Sequence, residues 1–256
     1  MSNQAAIILR NISKTFYLDQ LDSDTFRSRL FNSFRRNNKK VLKAINNINL
    51  EIAKGETLGI IGRNGSGKST LVKIMNGSFI PDKGGEVIRN GTHMMMNLGI
   101  GLSHELTARE NIYISGSTLG LRKKHVDQIF NQIIDFAELN GFVDTKIKHF
   151  STGMIQRLSF SIAVNARADI MFLDEVFAVG DEVFRKKATK VLEKSWLEGR
   201  TVVIVSHSMA NIRNYCQRVL YLKKGQVAFL GDPETAIKMY HEDNVQAEKA
   251  AASEKS

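Results

Sequence analysis

The chain contains the stretch Gly62-Arg63-Asn64-Gly65-Ser66-Gly67-Lys68-Ser69-Thr70. It fits the pattern G-x-x-x-x-G-K-[ST], in which a glycine-rich loop wraps a phosphate and its backbone N–H groups point at the anion. The helix that follows such a loop adds the positive end of its dipole. In this pattern Lys68 reaches the β- and γ-phosphates, and the Ser69 hydroxyl binds Mg²⁺. The stretch predicts a phosphate-binding loop, called the P-loop below.

The residues on either side of the P-loop agree with this prediction. Thr57-Leu58-Gly59-Ile60-Ile61 is typical of a buried strand, and the apolar residues between 71 and 75 have helical spacing. Gly77 marks the expected end of that helix. The alternative is a chance glycine-rich turn, which the flanking strand and helix argue against. We therefore expect the chain to bind a nucleotide.

Composition places the chain among ordinary globular proteins, because 43% of its 256 residues are hydrophobic and 24% are charged. No apolar run approaches the roughly 18 residues that cross a bilayer, and the N-terminus lacks a signal-peptide core, so a cytosolic location is expected. The net charge of +10 indicates a negatively charged partner, which could be nucleic acid, anionic lipid or a phosphate-rich ligand. The single cysteine, Cys216, excludes an internal disulfide and is expected to be a small buried apolar residue.

Hydrophobic patterning predicts an α/β fold. Continuous apolar runs at 170–173 and 201–205 are typical of strands buried on both faces of a mostly parallel sheet. A hairpin is expected around Lys223-Lys224-Gly225. Further strands are expected at 6–12 and 48–52, with short ones at 85–88 and 94–96. Helices are expected at 108–119, 124–139 and 152–167, and the helix-rich part between 99 and 150 separates two halves of the core.

Two of the predicted core strands end in residues suited to phosphate chemistry. Asp174 and Glu175 follow the run at 170–173; in P-loop enzymes the first acid holds Mg²⁺ through water, and the second can polarise the attacking water. A solvated strand end is the alternative. His207 follows the run at 201–205, on the edge where open parallel sheets bind ligands, and is a candidate donor to the γ-phosphate. A lone histidine is equally often a surface or satisfied core residue.

The segment Phe150-Ser151-Thr152-Gly153-Met154 is a further candidate anion site. Small polar residues directly before an apolar helix indicate a helix N-terminus with free N–H groups. Taken alone, the segment is better explained as a simple N-cap at Ser151 or Thr152. Its place in the chain, between the P-loop and the acids, favours a phosphate-binding role.

With these elements in this order, the chain resembles the ATP-binding cassette (ABC) ATPases over residues 9–232. The resemblance implies a P-loop NTPase fold with a mostly parallel core sheet, an N-terminal antiparallel β-subdomain and a helical insert. Ser151, Thr152 and Gly153 stand where the family has its signature loop, with Thr152 in place of a glycine and Met154 in place of a glutamine. We call residues 151–153 the signature segment.

The same resemblance implies roles for five further residues. Asp174 would be the acid on the Mg²⁺ side, Glu175 the catalytic base and His207 the switch histidine. Asp181 matches the loop that touches the opposite subunit. Phe16 falls where the family has an aromatic ring that stacks on adenine.

Three phrases resemble more narrowly the ATPase subunits that export bacterial polysaccharides such as O-antigen, capsule or teichoic acid. They are Phe150-Ser151-Thr152-Gly153-Met154, Asp174-Glu175-Val176-Phe177-Ala178-Val179-Gly180-Asp181 and Glu105-Leu106-Thr107-Ala108-Arg109-Glu110-Asn111-Ile112. This likeness implies ATP hydrolysis with Mg²⁺ that drives a lipid-linked polysaccharide across the inner membrane. Another class of ABC transporter, or a soluble ABC ATPase acting on ribosomes or DNA, is the alternative.

The likeness also implies partners. Two copies of the chain would meet head to tail, so that the P-loop of one and the signature segment of the other enclose each ATP. A pair of integral membrane permease subunits would complete the transporter, with this chain bound peripherally on the cytoplasmic face. The lipid-linked glycan would be an indirect partner, and no nucleic acid is expected.

Some regions depart from the family pattern. The glutamine of the family's Q-loop would fall near Leu98, where this chain has none; either the nearby Asn97 replaces it or the backbone at 98–101 takes over. The insertion at 18–40, rich in phenylalanine and arginine, is either an amphipathic element at the membrane surface or a flap on the chain's own sheet. We expect one ATPase domain over 1–240, a helical subdomain at about 99–167 and a flexible tail over 241–256. With roughly 25 residues after Gly231, no C-terminal carbohydrate-binding domain is expected.

Overall fold

The structure, a computed structural model, describes residues 4–18, 40–96, 101–166, 168–174, 180–194 and 199–253. Several predicted features lie outside the described residues. They are Glu175, the Q-loop region at Asn97 and Leu98, and residues 19–39 of the insertion.

A six-stranded sheet forms the centre of the fold, in the order β5-β6-β7-β3-β8-β9. Its strands are β3 (Thr57–Ile61), β5 (His93–Met96), β6 (Ile170–Asp174), β7 (Thr201–Val205), β8 (Arg218–Lys223) and β9 (Gln226–Gly231). All neighbours pair in parallel except β8 and β9, which form an antiparallel hairpin. Every residue of β3 and β7 is buried, because helices or the second sheet cover both faces. The predicted parallel core and the predicted hairpin are confirmed.

A second, antiparallel sheet has the order β2-β1-β4 and consists of β1 (Ala5–Leu18), β2 (Lys40–Ala53) and β4 (Glu86–Arg89). The strands β1 and β2 are much longer than the sequence pattern predicted. The apolar alternation breaks at irregularities in the pairing, where Asn11 has φ 52° and Asn47 has φ 51°. Pairing then resumes as far as Leu18 and Lys40, so the bulges interrupt the pattern without ending the strands.

The helices in the described ranges surround the two sheets. They are α1 (Lys68–Met75), α2 (Ala108–Thr118), α3 (Lys123–Ala137), α4 (Thr152–Ala163), α5 (Glu182–Leu192), α6 (Met209–Tyr215) and α7 (Pro233–Ser253), with short 3₁₀ turns at Asn140–Phe142 and Ile147–His149. The sequence analysis did not predict α5, α6 or the start of α7. The signals were present for α5, since Phe184, Ala188 and Leu192 form a buried stripe at helical spacing. The tail is helical as far as Ser253.

The helical insert has a hydrophobic core of its own. Ile112 of α2, Ile133 of α3 and Leu158 of α4 belong to one buried cluster, separate from the clusters on the two faces of the central sheet. The helix α2 begins with a capping box, in which Thr107 and Glu110 satisfy each other's backbone N–H groups. None of the helices in the described ranges combines the length and apolar character that crossing a bilayer requires.

Candidate functional site

The P-loop connects β3 to α1, and its shape requires glycine at two places. Gly62 has φ 153° and Gly67, the N-cap of α1, has φ 105°. A Cβ atom on Gly67 would lie 2.6 Å from the carbonyl oxygen of Ala44 and 2.9 Å from Ile45 Cδ1. A Cβ on Gly62 would overlap the carbonyl oxygen of Leu222. The neighbouring strands therefore press directly against the loop, which holds its backbone in one conformation.

The side chain of Lys68 is hydrogen-bonded to the backbone of this loop. Lys68 is 8% exposed, and its Nζ donates hydrogen bonds to the carbonyl oxygens of Gly62 at 2.7 Å and Arg63 at 3.1 Å. An ammonium group fixed in this way is positioned to meet an anion that enters the loop. The loop N–H groups and the N-terminus of α1 contribute positive charge at the same place.

One cavity of about 620 Å³ unites the P-loop with residues from distant parts of the sequence. Lys68, Ser69, Asp174 and His207 all line it, as does Phe16. The strand β3, which leads into the P-loop, has β7 and then β6 on one side in the sheet and β8 on the other. Because β3, β6 and β7 are parallel, their carboxyl ends meet at one edge, where the loop, Asp174 and the start of the segment after β7 come together.

The cavity also contains residues that the sequence analysis did not predict. They include Leu42 and Lys43 of β2, and Lys224 in the turn between β8 and β9. The turn itself was predicted, but its approach to the P-loop depends on how the two sheets pack, which no local pattern reports. Phe16 of β1 packs edge-on against Phe79, with ring centroids 5.7 Å apart, so one aromatic ring is fixed in the wall of the cavity.

The signature segment does not line this cavity; it begins α4 in the helical insert. Ser151 is the N-cap, and its hydroxyl accepts a hydrogen bond from Met154 N at 3.2 Å. Ser151 and Thr152 are both exposed. Among the described residues, and apart from the helix backbone, Ser151 Oγ is the one atom within 4 Å of a Cβ placed on Gly153, at 3.9 Å, so the surroundings of Gly153 are open.

Asp181 lies at a similar position at the start of α5. Its carboxylate accepts a hydrogen bond from Phe184 N at 2.9 Å and caps the helix. The N–H group of Gly180 donates to Gln156 Oε1 at 3.2 Å, which ties this segment to α4. Within the described residues, Asp181 does not line the cavity.

Cys216 matches its expected role as a buried apolar residue. It is 7% exposed, and burial raises the pKa of its thiol to about 12. Its sulfur lies behind the strand that leads into the P-loop, since a Cβ on Gly59 would be 2.9 Å from Sγ. A thiol in this state is not a nucleophile at neutral pH.

Comparison with protein families gives one decisive match. Residues 45–178 match the family model described as ABC transporter. The chain belongs to the ABC transporter family. This range includes the P-loop, the helical insert, the signature segment and Asp174.

Among curated proteins, this ABC chain is similar to subunits of polysaccharide export systems. It is 40% identical over 197 residues to the O-antigen export system ATP-binding protein RfbB of Klebsiella pneumoniae, covering 77% of this chain and 80% of the relative. It is 36% identical over 253 residues to the protein of the same name in Myxococcus xanthus, covering 96% and 58%. It is 36% identical over 240 residues to the teichoic acids export ATP-binding protein TagH of Enterococcus faecalis, covering 94% and 53%. The chain thus spans between about half and four fifths of the length of these relatives.

Solved structures confirm the fold. The chain resembles a dimeric ATP-binding cassette in a post-hydrolysis state bound to ADP and Pi, with a TM-score of 0.67 and 24% identity. The match covers 89% of this chain and 98% of the other. The predicted ABC fold, with its parallel core sheet, antiparallel β-subdomain and helical insert, is therefore correct.

Proposed function

We propose that this chain binds Mg·ATP in the cavity at the P-loop and hydrolyses it as the ATPase subunit of a polysaccharide exporter. The observation that carries the proposal is the single cavity in which the P-loop meets Asp174 and His207. Loop N–H groups and Lys68 bind the β- and γ-phosphates. Phe16, in the wall of the same cavity, stacks on adenine.

The oxygen donors in this cavity fit Mg²⁺. This ion is usually held by one or two carboxylates together with substrate phosphates, and the hydroxyl of Ser69 and the carboxylate of Asp174 both line the cavity. Bound there, Mg²⁺ would neutralise charge on the phosphate oxygens. Among the described residues no cluster of three or more histidine, cysteine or acidic side chains suggests a separate metal site.

The residues of the chain supply the remaining chemistry. Glu175, directly after Asp174, accepts a proton from a water molecule while the oxygen of that water attacks the γ-phosphorus. The bond between that phosphorus and the β–γ bridging oxygen breaks, and ADP and phosphate leave. His207 donates a hydrogen bond to the γ-phosphate, and Lys68 stabilises the charge that develops on it.

Each site is completed by a second copy of the chain. Ser151 and Gly153 are exposed or open and lie outside the cavity of their own chain, which leaves them available to a nucleotide bound by a partner. The dimeric state of the similar cassette structure supports a head-to-tail homodimer. Closure around ATP and reopening after hydrolysis would provide the motion for transport.

The exported substrate is a lipid-linked polysaccharide of the O-antigen, capsule or teichoic acid type. The names of the relatives support this assignment, as do the phrases shared with that subfamily. The chain would bind peripherally to a pair of membrane permease subunits on the cytoplasmic face. Its net charge of +10 favours contact with a surface that carries anionic lipids.

Two measurements test this proposal. Purified wild-type protein is expected to release phosphate from Mg·ATP, and Lys68→Ala is expected to lose both nucleotide binding and turnover. Lys124→Ala, which removes an exposed lysine from α3, is the charge-matched control and should behave as wild type. Failure of the wild-type protein to bind ATP would overturn the proposal.

The transport part needs the membrane partner. The chain should co-purify with an integral membrane permease, and lipid-linked glycan should change the ATPase rate of that complex. A rate that responds to a small solute or to nucleic acid and not to glycan would contradict polysaccharide export while leaving the ATPase assignment intact.

A further inference from the structure

We infer that Lys224 is a nucleotide-contacting residue that binds the phosphate chain on its α-phosphate side. The inference rests on the proposed binding of ATP in the cavity. Lys224 lines that cavity together with the P-loop, although it lies on a different strand connection and belongs to no recognised nucleotide-binding motif in the chain.

The conformation of Lys224 is unusual for a lysine. Lys223 pairs with Gln226, so Lys224 and Gly225 form a two-residue hairpin turn, with φ of 49° and 78°. Positive φ at both positions defines a type I′ turn, in which Asn-Gly is the preferred pair. A long side chain with a Cβ in the left-handed region destabilises such a turn relative to asparagine or glycine. The turn therefore contains a residue that the hairpin itself does not favour.

The turn is fixed directly against the P-loop. The N–H group of Gly225 donates to the carbonyl oxygen of Ser66 at 2.9 Å, and the carbonyl oxygen of Gly225 accepts from Asn46 N at 2.9 Å. A Cβ on Gly225 would lie 2.6 Å from the carbonyl oxygen of Ala44, so the backbones are in close contact. These contacts hold the backbone of Lys224 beside the loop that binds phosphate.

Two neighbouring lysines of this hairpin have different surroundings. Lys223 Nζ is paired with Asp243 at 2.8 Å, on α7. Lys224 is exposed and forms no ion pair with any residue in the described part of the chain. Its charge is therefore available to a ligand in the cavity, where it would attract a negatively charged group.

The order of the strands indicates which part of the nucleotide Lys224 contacts. Asp174 ends β6 and His207 follows β7, both on one side of the P-loop, and they face the γ-phosphate in the proposed mechanism. Lys224 follows β8, on the opposite side. Lys43 of β2 also lines the cavity, and Phe16, the proposed adenine contact, lies on the adjoining strand β1.

Gly225, the neighbour of Lys224 in the turn, contacts both Ser66 of the P-loop and Ala44 of β2. On the same strand, Leu42 pairs with Phe16. These contacts place the turn between the P-loop and the adenine contact, where the α-phosphate that ATP and ADP share would lie.

The substitution Lys224→Asn tests this inference, because it predicts opposite effects on the fold and on binding. Asn-Gly is the preferred type I′ pair, so the thermal unfolding midpoint should rise. Affinities for ATP and for ADP should both fall, by about three- to tenfold, because one attractive charge is removed from a partly solvated site. Affinity for adenosine, which carries no phosphate, should not change. All three are measured by competition with a fluorescent ADP analogue.

Lys124→Asn is the matched control, since it removes the same charge from an exposed position on α3 that does not line the cavity. The inference is overturned if Lys224→Asn binds both nucleotides as tightly as wild type. It is also overturned if ATP is weakened and ADP is not, which would place the contact at the γ-phosphate, or if the unfolding midpoint falls along with affinity. Wild-type protein that binds no nucleotide would instead overturn the proposed function, so the two failures are distinguishable.

Discussion

The P-loop and the signature segment are both glycine-containing starts of helices, yet their surroundings differ. Gly67 has φ 105°, and the backbone of Ala44 lies where its Cβ would be. Gly153 has ordinary backbone geometry, and within the described ranges a Cβ built on it would have Ser151 Oγ, at 3.9 Å, as its one neighbour outside the helix backbone. Lys68 is buried beside the first glycine, whereas Thr152, beside the second, is exposed.

This difference separates two reasons for having a glycine. The chain's own packing requires Gly67, because no other residue fits the loop that β2 and the β8–β9 turn enclose. Nothing in the described part of the same chain requires Gly153. A need for glycine at this position would come from outside the chain. In the proposed dimer, a nucleotide bound by the partner would approach the backbone of Gly153 closely. The following predictions test this distinction.

The largest effect is expected from Glu175→Gln, which removes the proposed base and keeps the shape of the side chain. Turnover should fall by about a hundredfold or more, since general base catalysis contributes about 10²–10⁴-fold. ATP should still bind, so the P-loop of one copy and the signature segment of the other should stay joined. Phosphate release and light scattering after size-exclusion chromatography measure the two effects. A monomer in the presence of ATP would contradict the composite site, and a wild-type rate would contradict the base assignment.

A mixture of two inactive variants tests whether the two segments act in the same site across the dimer. Lys68→Ala disables the P-loop, and Gly153→Asp places a carboxylate where the partner's phosphate should lie. The open surroundings of Gly153 predict that this variant folds normally. Random mixing gives half heterodimers with one intact site each, so the mixture should recover about a quarter of the wild-type ATPase rate if the sites are independent.

Each variant alone is the control for this experiment and should show only background hydrolysis. A chain that carries both Lys68→Ala and Gly153→Asp should likewise show only background hydrolysis. If the separate variants fail to complement each other although the mixture forms heterodimers, the P-loop and the signature segment do not meet across the interface.

Stability measurements distinguish the two glycines in a single chain. Gly67→Ala should destabilise the fold by about 1–3 kcal/mol, because the new Cβ collides with the Ala44 carbonyl and the positive φ is strained. Gly153→Ala should be neutral or stabilise by up to about 1 kcal/mol, because alanine is favoured over glycine in the first turn of α4. Urea unfolding followed by circular dichroism gives both values. Equal losses at the two positions would show that the chain's own fold constrains Gly153 as well.

The sequence predicted the core strands better than the walls of the site. Thr57–Ile61 and Thr201–Val205 have the predicted bounds, because strands buried on both faces appear as uninterrupted apolar runs. The strand β1 was predicted too short, since the bulge at Asn11 breaks the two-residue alternation. The place of Lys224 in the cavity could not be predicted. It depends on contact between a hairpin turn and a loop that lie far apart in the chain, and such contacts leave no local pattern.

The smallest effect is expected in a labelling experiment that compares two thiols. Cys216 lies behind the P-loop strand with a pKa of about 12, so it stays protonated at pH 8 and should not react with a thiol reagent until the protein is unfolded. A thiol introduced by Thr152→Cys, at an exposed position of the signature segment, should react readily. With Mg·ATP, and with Glu175→Gln in the same chain to keep the dimer closed, its reaction should slow several-fold because the partner's nucleotide covers it. The same slowing at a cysteine introduced by Lys124→Cys, outside the proposed interface, would show a general effect of ATP and would contradict specific closure over the signature segment.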